Sequence, residues 1–227
     1  MSTKRNSISY SDDAYRRIKQ LILNQELVPG QKLIYDDLAK RLNMSRTPII
    51  NALNRLEQHG LVVSESHRGF TVKPMDTKEA WDTFGFREAI ETYAVEQAIL
   101  KADPVNLKAL EEKLQEYEAY QPNYHDRKKI FLDAAFHMQI AEMTDNDVLK
   151  WHLKLNMQHV YLRANLNNYS IDRMKAATAE HRQLFRKIES KDVLGAVEII
   201  RNHLQRDKSH IIACMSENER TTENIDL

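Results

Sequence analysis

Asp133 and His137 stand four residues apart in a stretch whose apolar residues Leu132, Phe136, Ile140 and Met143 recur at helical spacing. The carboxylate and the imidazole therefore share one helix face beside the packing stripe. His181 falls inside a second stripe, Ala177, Leu184 and Ile188, and His203 inside a third, Ala196, Ile199 and Ile200. Three helices each aim an imidazole inward, and one adds a carboxylate. Neutral imidazoles are good ligands for borderline divalent cations, and one carboxylate lowers the charge cost of burying the ion. The set suits zinc first, with nickel, manganese or iron as alternatives. Four protein ligands leave room for a small carboxylate or phosphate to complete the shell. Any one of these histidines alone reads more simply as a hydrogen-bonded core residue; only the four together carry the chemistry.

The elements that hold them follow from periodicity. From about residue 77 onward only Pro104 and Pro122 interrupt, and the spacing predicts six helices, at about 77–101, 104–119, 125–144, 146–168, 171–190 and 192–215. Asp103 before Pro104 supplies a cap and first-turn pair for the second of them. The polar segment 216–227 reads as a frayed tail. Trp81 and Trp151 are expected in a core or an interface.

The first 75 residues have a different grammar. Ala14, Ile18, Leu21 and Ile22 mark an amphipathic helix with Ser11 as its cap, ended by Pro29-Gly30. A second helix spans about 35–42, and after Asn43-Met44 a third, capped by Ser45, runs to about His59. Gly60 stops it. The runs Leu61-Val62-Val63 and Phe70-Thr71-Val72, separated by a polar stretch ending in Arg68-Gly69, predict a small β-hairpin. On a helical wheel the third helix packs through Ile49, Ala52, Leu53 and Leu56 and frees Thr47, Asn51 and Asn54. Short amides, hydroxyls and an arginine on such a helix suit base edges and phosphates in a major groove.

Composition agrees. Residues 1–75 hold 12 Lys and Arg against 7 Asp and Glu, a net of +5 inside a chain of net charge zero. A basic first third on an acidic remainder is expected where only the first part meets a polyanion. The single cysteine, Cys214, excludes an intramolecular disulfide and points to a reducing cytoplasm. No stretch approaches the roughly 20 apolar residues of a membrane helix, so no membrane partner is expected.

In order, Pro29-Gly30, Leu38-Ala39, Ser45-Arg46-Thr47-Pro48, Ala52-Leu53, Leu56, Gly60-Leu61-Val62 and Arg68-Gly69 resemble the winged helix-turn-helix of the GntR family of bacterial regulators. The resemblance implies DNA contacts from Ser45, Arg46, Thr47, Ile50, Asn51, Asn54 and Arg55, with Arg68 and Gly69 on the wing. Where the family usually has Val-Arg-Glu-Ala-Leu this chain has Ile49-Ile50-Asn51-Ala52-Leu53. Ile50 can touch a thymine methyl where an arginine would reach guanine or phosphate, so no operator sequence carries over.

From about Asp76 to Met215 the chain resembles the FCD ligand-binding domain of the FadR and VanR branches of that family. Its metal motif, an Asp four residues before a His and two later histidines, is matched by Asp133, His137, His181 and His203, with Asn146 and Glu180 in the usual context. The resemblance further implies an effector-facing Arg87 near Glu91, and Arg163 is a second candidate for the effector.

The expected protein is mainly α: a winged helix-turn-helix (8–75) and an antiparallel bundle of about six helices (76–216) that binds metal and effector, then a tail (217–227). It is expected to be a homodimer that reads a palindromic double-stranded operator, a repressor whose DNA binding is modulated by a small organic acid. The rival readings are a metal-dependent hydrolase with a DNA-binding appendage, and a metal-free effector sensor or dimerisation scaffold.

Overall fold

The computed structural model describes residues 9–65, 69–121, 127–164 and 169–223. The chain divides into two compact units between Met75 and Asp76. Among the described residues there are nine helices and three short strands.

The first unit opens with α1 (Tyr10–Leu23), whose cap is Ser9 and not the expected Ser11: the Ser9 hydroxyl accepts from the Asp12 amide at 3.1 Å, which places Asp12 and Asp13 in the first turn. A turn through Gly30 (φ +82°) leads into β1 (Lys32–Leu33), α2 (Tyr35–Leu42) and α3 (Arg46–Gln58), and then into β2 (Val62–Glu65) and β3 (Gly69–Val72). Asn43 takes the left-handed conformation (φ 53°) that ends α2. The sheet has three strands in the order β1-β3-β2, both pairings antiparallel. The expected hairpin is β2-β3; β1 is an addition, two residues too short to show a period. Ile18, Ile22, Ile49, Leu53, Leu56, Leu61 and Val72 form this unit's core.

The second unit is all helix: α4 (Thr77–Leu100), α5 (Pro104–Ala119), α6 (Arg127–Met143), α7 (Asp147–Arg163), α8 (Ile171–Glu189) and α9 (Val193–Glu223). Asp103 makes the anticipated cap with Pro104 in the first turn, and Asn106 completes a reciprocal capping box. Helix α4 packs along α9 and against α6 and α7, while α8 packs on α9 and α5 on α6 and α8. Phe84, Leu110, Phe136, Ile140, Leu153, Val160, Leu184 and Ile200 fill the centre.

Helix α9 continues to Glu223 through most of the supposed tail; no glycine or proline follows Gly195, so nothing in the backbone stops it. Of the two places expected for Trp81 and Trp151, a core or an interface, the core is excluded, since both are more than half exposed. No helix among the described residues is long and apolar enough to cross a membrane.

Candidate metal and effector site and candidate DNA-reading face

The interior of the helical unit is unusually polar, and the polar groups come in ladders. Helix α4 contributes Arg87 and Glu91, α6 contributes Asp133 and His137, and α9 contributes His203 and Asp207, each pair four residues apart on one face. Helix α8 adds Arg173, Glu180 and His181, and all of these side chains are buried.

One ligand atom from each of Asp133, His137, His181 and His203 lies within 4.8 Å of the other three. Two imidazoles are oriented by carboxylates behind them: His137 Nδ1 meets Glu91 Oε2 at 2.5 Å, and His203 Nδ1 meets Glu180 Oε2 at 2.8 Å. With Nδ1–H donated outward, each ring presents an unprotonated Nε2 inward, and these two nitrogens stand 3.2 Å apart. His181 is held by rings instead, stacked on Phe136 at 4.5 Å between centroids and tilted against Tyr117 at 4.8 Å. Neither of its buried nitrogens has a hydrogen-bond partner among the described residues, although Nε2 is 3.4 Å from Asp133 Oδ1. A buried imidazole with both nitrogens unsatisfied is costly. A cation between these four atoms removes the cost at the nitrogen that binds it, since lone pairs that repel one another become ligands. The donor set fits a divalent metal.

At His181 the electrostatics favour the same occupant. Burial, followed by the neighbouring His203 and His137, holds His181 well below the usual histidine range, in the neutral form a metal requires. Burial works against the Glu91 carboxylate, yet Arg87 and His137 beside it hold it down at about 2. Glu180 is likewise held low, against burial, by bonds from His203, Arg173 and Arg206. Four buried carboxylates, Glu91, Asp133, Glu180 and Asp207, gather around the guanidiniums of Arg87 and Arg173.

Arg87 is fully buried. Its Nε bonds Glu91, its Nη1 is 3.4 Å from the Tyr161 hydroxyl, and its Nη2 has no hydrogen-bond partner among the described residues while lying 4.0 Å from Asp133 Oδ2. Beside the cluster is a cavity lined by Tyr117, Lys129, Ile130, Asp133, Tyr161 and Asp207, among others, with about 10 Å³ free for a water-sized molecule. Arg163 is engaged elsewhere. It grips Glu79 with both terminal nitrogens, at 2.7 and 2.5 Å, and contacts His159 Nδ1 at 2.8 Å; none of these partners belongs to the cluster. Tyr161 shares α7 with Arg163 and reaches the site, as its place on that helix allowed; spacing does not single out Arg173 or Asp207, which meet each other from α8 and α9. Of these two only Asp207 carries any signal, its four-residue offset from His203.

In the first unit, Ser45, Arg46 and Thr47 are exposed at the start of α3, as are Ile50, Asn51 and Asn54 along it, while Pro48 and Ile49 are buried. Ser45 sits at the N-cap but makes no capping bond, contrary to expectation. The third helical residue, which such a cap would address, is Pro48, and proline has no N–H. The hydroxyl and the first amides thus face outward. Arg46 pairs with Asp36, Nη2 to Oδ2 at 2.8 Å. Arg55 pairs with Asp12 at 2.6 Å and lies over the Tyr15 ring, 4.4 Å from its centroid, turned toward α1. Gly69 begins β3 with φ +88°, a conformation few side chains tolerate. Arg68 lies outside the described residues.

Comparison with known proteins supports both halves. Residues 10–72 match the model of the bacterial regulatory proteins of the gntR family, and residues 82–206 match that of the FCD domain. A Bacillus subtilis protein described as an uncharacterized HTH-type transcriptional regulator, YdhC, is 30% identical over 87% of this chain and 88% of its own. The Escherichia coli HTH-type transcriptional repressor RspR is 22% identical over 90% of both chains. Among solved structures, E. coli McbR/YncC shares the fold with a TM-score of 0.78 at 21% identity, over 90% of this chain and 97% of the other. The chain belongs to the GntR family, a DNA-binding transcription regulator and not an enzyme, with an FCD domain behind its winged helix-turn-helix.

Proposed function

We propose that the protein is a homodimeric repressor that releases a palindromic operator when a small organic acid binds beside a metal held by Asp133, His137, His181 and His203. The observation that carries this reading is the pairing of an inward-facing ligand set with a buried guanidinium, Arg87, whose Nη2 lacks an acceptor. Zinc suits three imidazoles and a carboxylate, and when bound it would supply a Lewis-acid anchor for an acid group. Arg87 then offers the planar fork that a carboxylate matches. Because the cavity takes little more than a water molecule as it stands, an effector can enter only if α6, α7 or α9 shifts, and a ligand that needs a different helix arrangement biases the bundle toward it.

An exposed stripe on α4 and α7 suits a two-fold partner. Phe86 and Tyr93 on α4 and Val148 and Trp151 on α7 are each about half exposed or more, and the His152 ring meets Phe86 edge-on at 6.2 Å. A second copy would cover this stripe with the same residues. Its two recognition helices would then read half-sites about one helical turn apart, roughly 34 Å.

On α3, the bases are assigned to Asn51, Asn54 and Ile50, and phosphate or guanine to Arg46, with Ser45, Thr47 and the wing at Arg68 and Gly69 against the backbone. The Arg46–Asp36 pair is exposed on both sides and so weak that DNA can replace it. Arg46→Ala is expected to weaken operator binding by about 1–3 kcal/mol. Arg55→Ala is expected to act mainly on the stability of the first unit, through the lost contacts to Asp12 and Tyr15. Fluorescence anisotropy on a fragment selected from a random pool, beside thermal melts, separates the two. Equal operator affinity for wild type and Arg46→Ala contradicts the assignment.

A further inference from the structure

Helix α7 ends in a turn with two working faces. Tyr161 and Arg163 are two residues apart, which is about 200° around a helix, so they point to opposite sides. Tyr161 donates its hydroxyl to Asp133 Oδ2 at 3.1 Å, and its carbonyl accepts from Arg127 Nη2, at the start of α6, at 2.5 Å. Arg163, buried, reaches the other way and holds Glu79 in the first turn of α4 with both terminal nitrogens, at 2.7 and 2.5 Å. A planar fork on a carboxylate fixes direction as well as distance, and a guanidinium out of water is not exchanged as easily as one in a surface pair. Asp76 caps α4 by accepting from the Glu79 amide at 2.7 Å. Only Pro74 and Met75 separate Asp76 from Lys73, whose amide bonds the Leu61 carbonyl of the first unit at 3.1 Å. A junction of two residues, one of them a proline with fixed φ, leaves little chain to absorb a displacement of that first turn.

We propose that the last turn of α7 is a lever: what Asp133 holds is passed through Tyr161 to Arg163, and through the Arg163–Glu79 pair to the first turn of α4 and the chain that enters the DNA-reading unit. This rests on the reading of Asp133, His137, His181 and His203 as a metal site. Asp133 cannot ligate a cation and keep its full charge for the Tyr161 hydroxyl. Arg127 ties the same turn to α6, the helix that carries Asp133 and His137, so the turn follows α6 by side chain and by backbone. Arg163 is then a positioning residue, and its partner Glu79 is the point at which α4 takes up the motion. A chain of contacts between two places is a route only if breaking it removes their coupling.

The test is hydrogen exchange read by mass spectrometry on the full chain, purified without affinity tag, stripped with chelator and measured with and without added zinc. In wild type, zinc is expected to slow exchange about tenfold both in peptides from residues 129–137 and in those from 76–84. Glu79→Gln and Arg163→Met break the pair from either end, the second keeping an unbranched stem in the buried slot. Glu79 is partly exposed, so the first variant serves if the second is unstable. Both are expected to keep the slowing at 129–137 and to hold zinc within about threefold of wild type against a chelator, while the slowing at 76–84 falls below about threefold. A response at 76–84 unchanged in both variants overturns the lever and gives the task to α9, which packs along α4. Loss of zinc binding in both variants overturns it as well, since the pair then only holds the cluster together. Slowing at 129–137 without any at 76–84 in wild type overturns the lever and leaves the metal reading standing; no zinc bound by wild type overturns both.

Discussion

Replacing His181 by alanine is expected to weaken metal binding by more than about a hundredfold, the upper end of what outer-shell changes alone produce. The imidazole is buried, is oriented by Phe136 and Tyr117, and among the described residues has no hydrogen-bond partner for either nitrogen. Without a cation, the side chain is a buried polar group with nothing to bond. With one, it is a ligand. Glu91→Gln, which leaves all four ligands but replaces the carboxylate behind His137, is expected to cost about tenfold to a hundredfold. Metal content by elemental analysis of tag-free protein, with competition against a chelator, reads both. Wild type should retain about one ion per chain, Glu91→Gln less under competition, and His181→Ala almost none. Melting adds a check that separates ligation from packing: adding zinc should raise the midpoint of wild type and leave that of His181→Ala unmoved. Equal metal content in wild type and His181→Ala contradicts the assignment.

Arg173→Ala is expected to have the largest effect on stability. The guanidinium bonds Glu180 with both terminal nitrogens, at 2.9 and 2.6 Å, and Asp207 with Nε at 2.7 Å, and all three side chains are buried. Its loss leaves two buried carboxylates whose other partners are His203, Tyr169 and the largely exposed Arg206. Removing one member of a buried ion pair typically costs about 3–5 kcal/mol, because the charge left behind is uncompensated. In a chain of this size each kcal/mol lowers the melting midpoint by roughly 2–4 °C. The double variant Arg173→Ala, Glu180→Ala should regain part of the loss, since one stranded carboxylate goes with its partner. A single variant within about 1 kcal/mol of wild type by urea denaturation contradicts this view of the cluster's frame.

The readable and unreadable parts of the molecule divide along a physical line. Asp133 and His137 announce themselves because four residues is one helical turn, and His181 and His203 because each interrupts an apolar stripe. The helix-turn-helix is readable from Pro29-Gly30 to Gly60 since each residue type has a local duty: turn, cap, core or stop. Contacts across helices leave no such mark. Arg173 resembles a solvated cation in the first turn of α8 until α9 brings Asp207 to it. The resemblance offers Arg46 and Arg55 as DNA contacts, and what it leaves unmarked is that each also pairs with a carboxylate, Asp36 and Asp12, 10 and 43 residues away. Arg163 has the residue type for an effector clamp but answers to Glu79, 84 residues earlier. Ser45 fails as a cap for a reason that is local and visible in the sequence, the proline three residues on. Helix α9 outruns its expected end because polarity alone does not break a helix.

The central claim is that operator binding in the first unit is governed by what the second unit holds. Its most direct test is the anisotropy of a labelled operator fragment, titrated with zinc-loaded protein, with chelator-stripped protein, and with zinc-loaded protein in each of a panel of small carboxylic acids at saturation. The account predicts tight binding by the zinc-loaded form, and release by at least one of the acids that disappears in His181→Ala. An operator affinity indifferent to metal, to acid and to His181 would contradict it and leave the helical unit a scaffold.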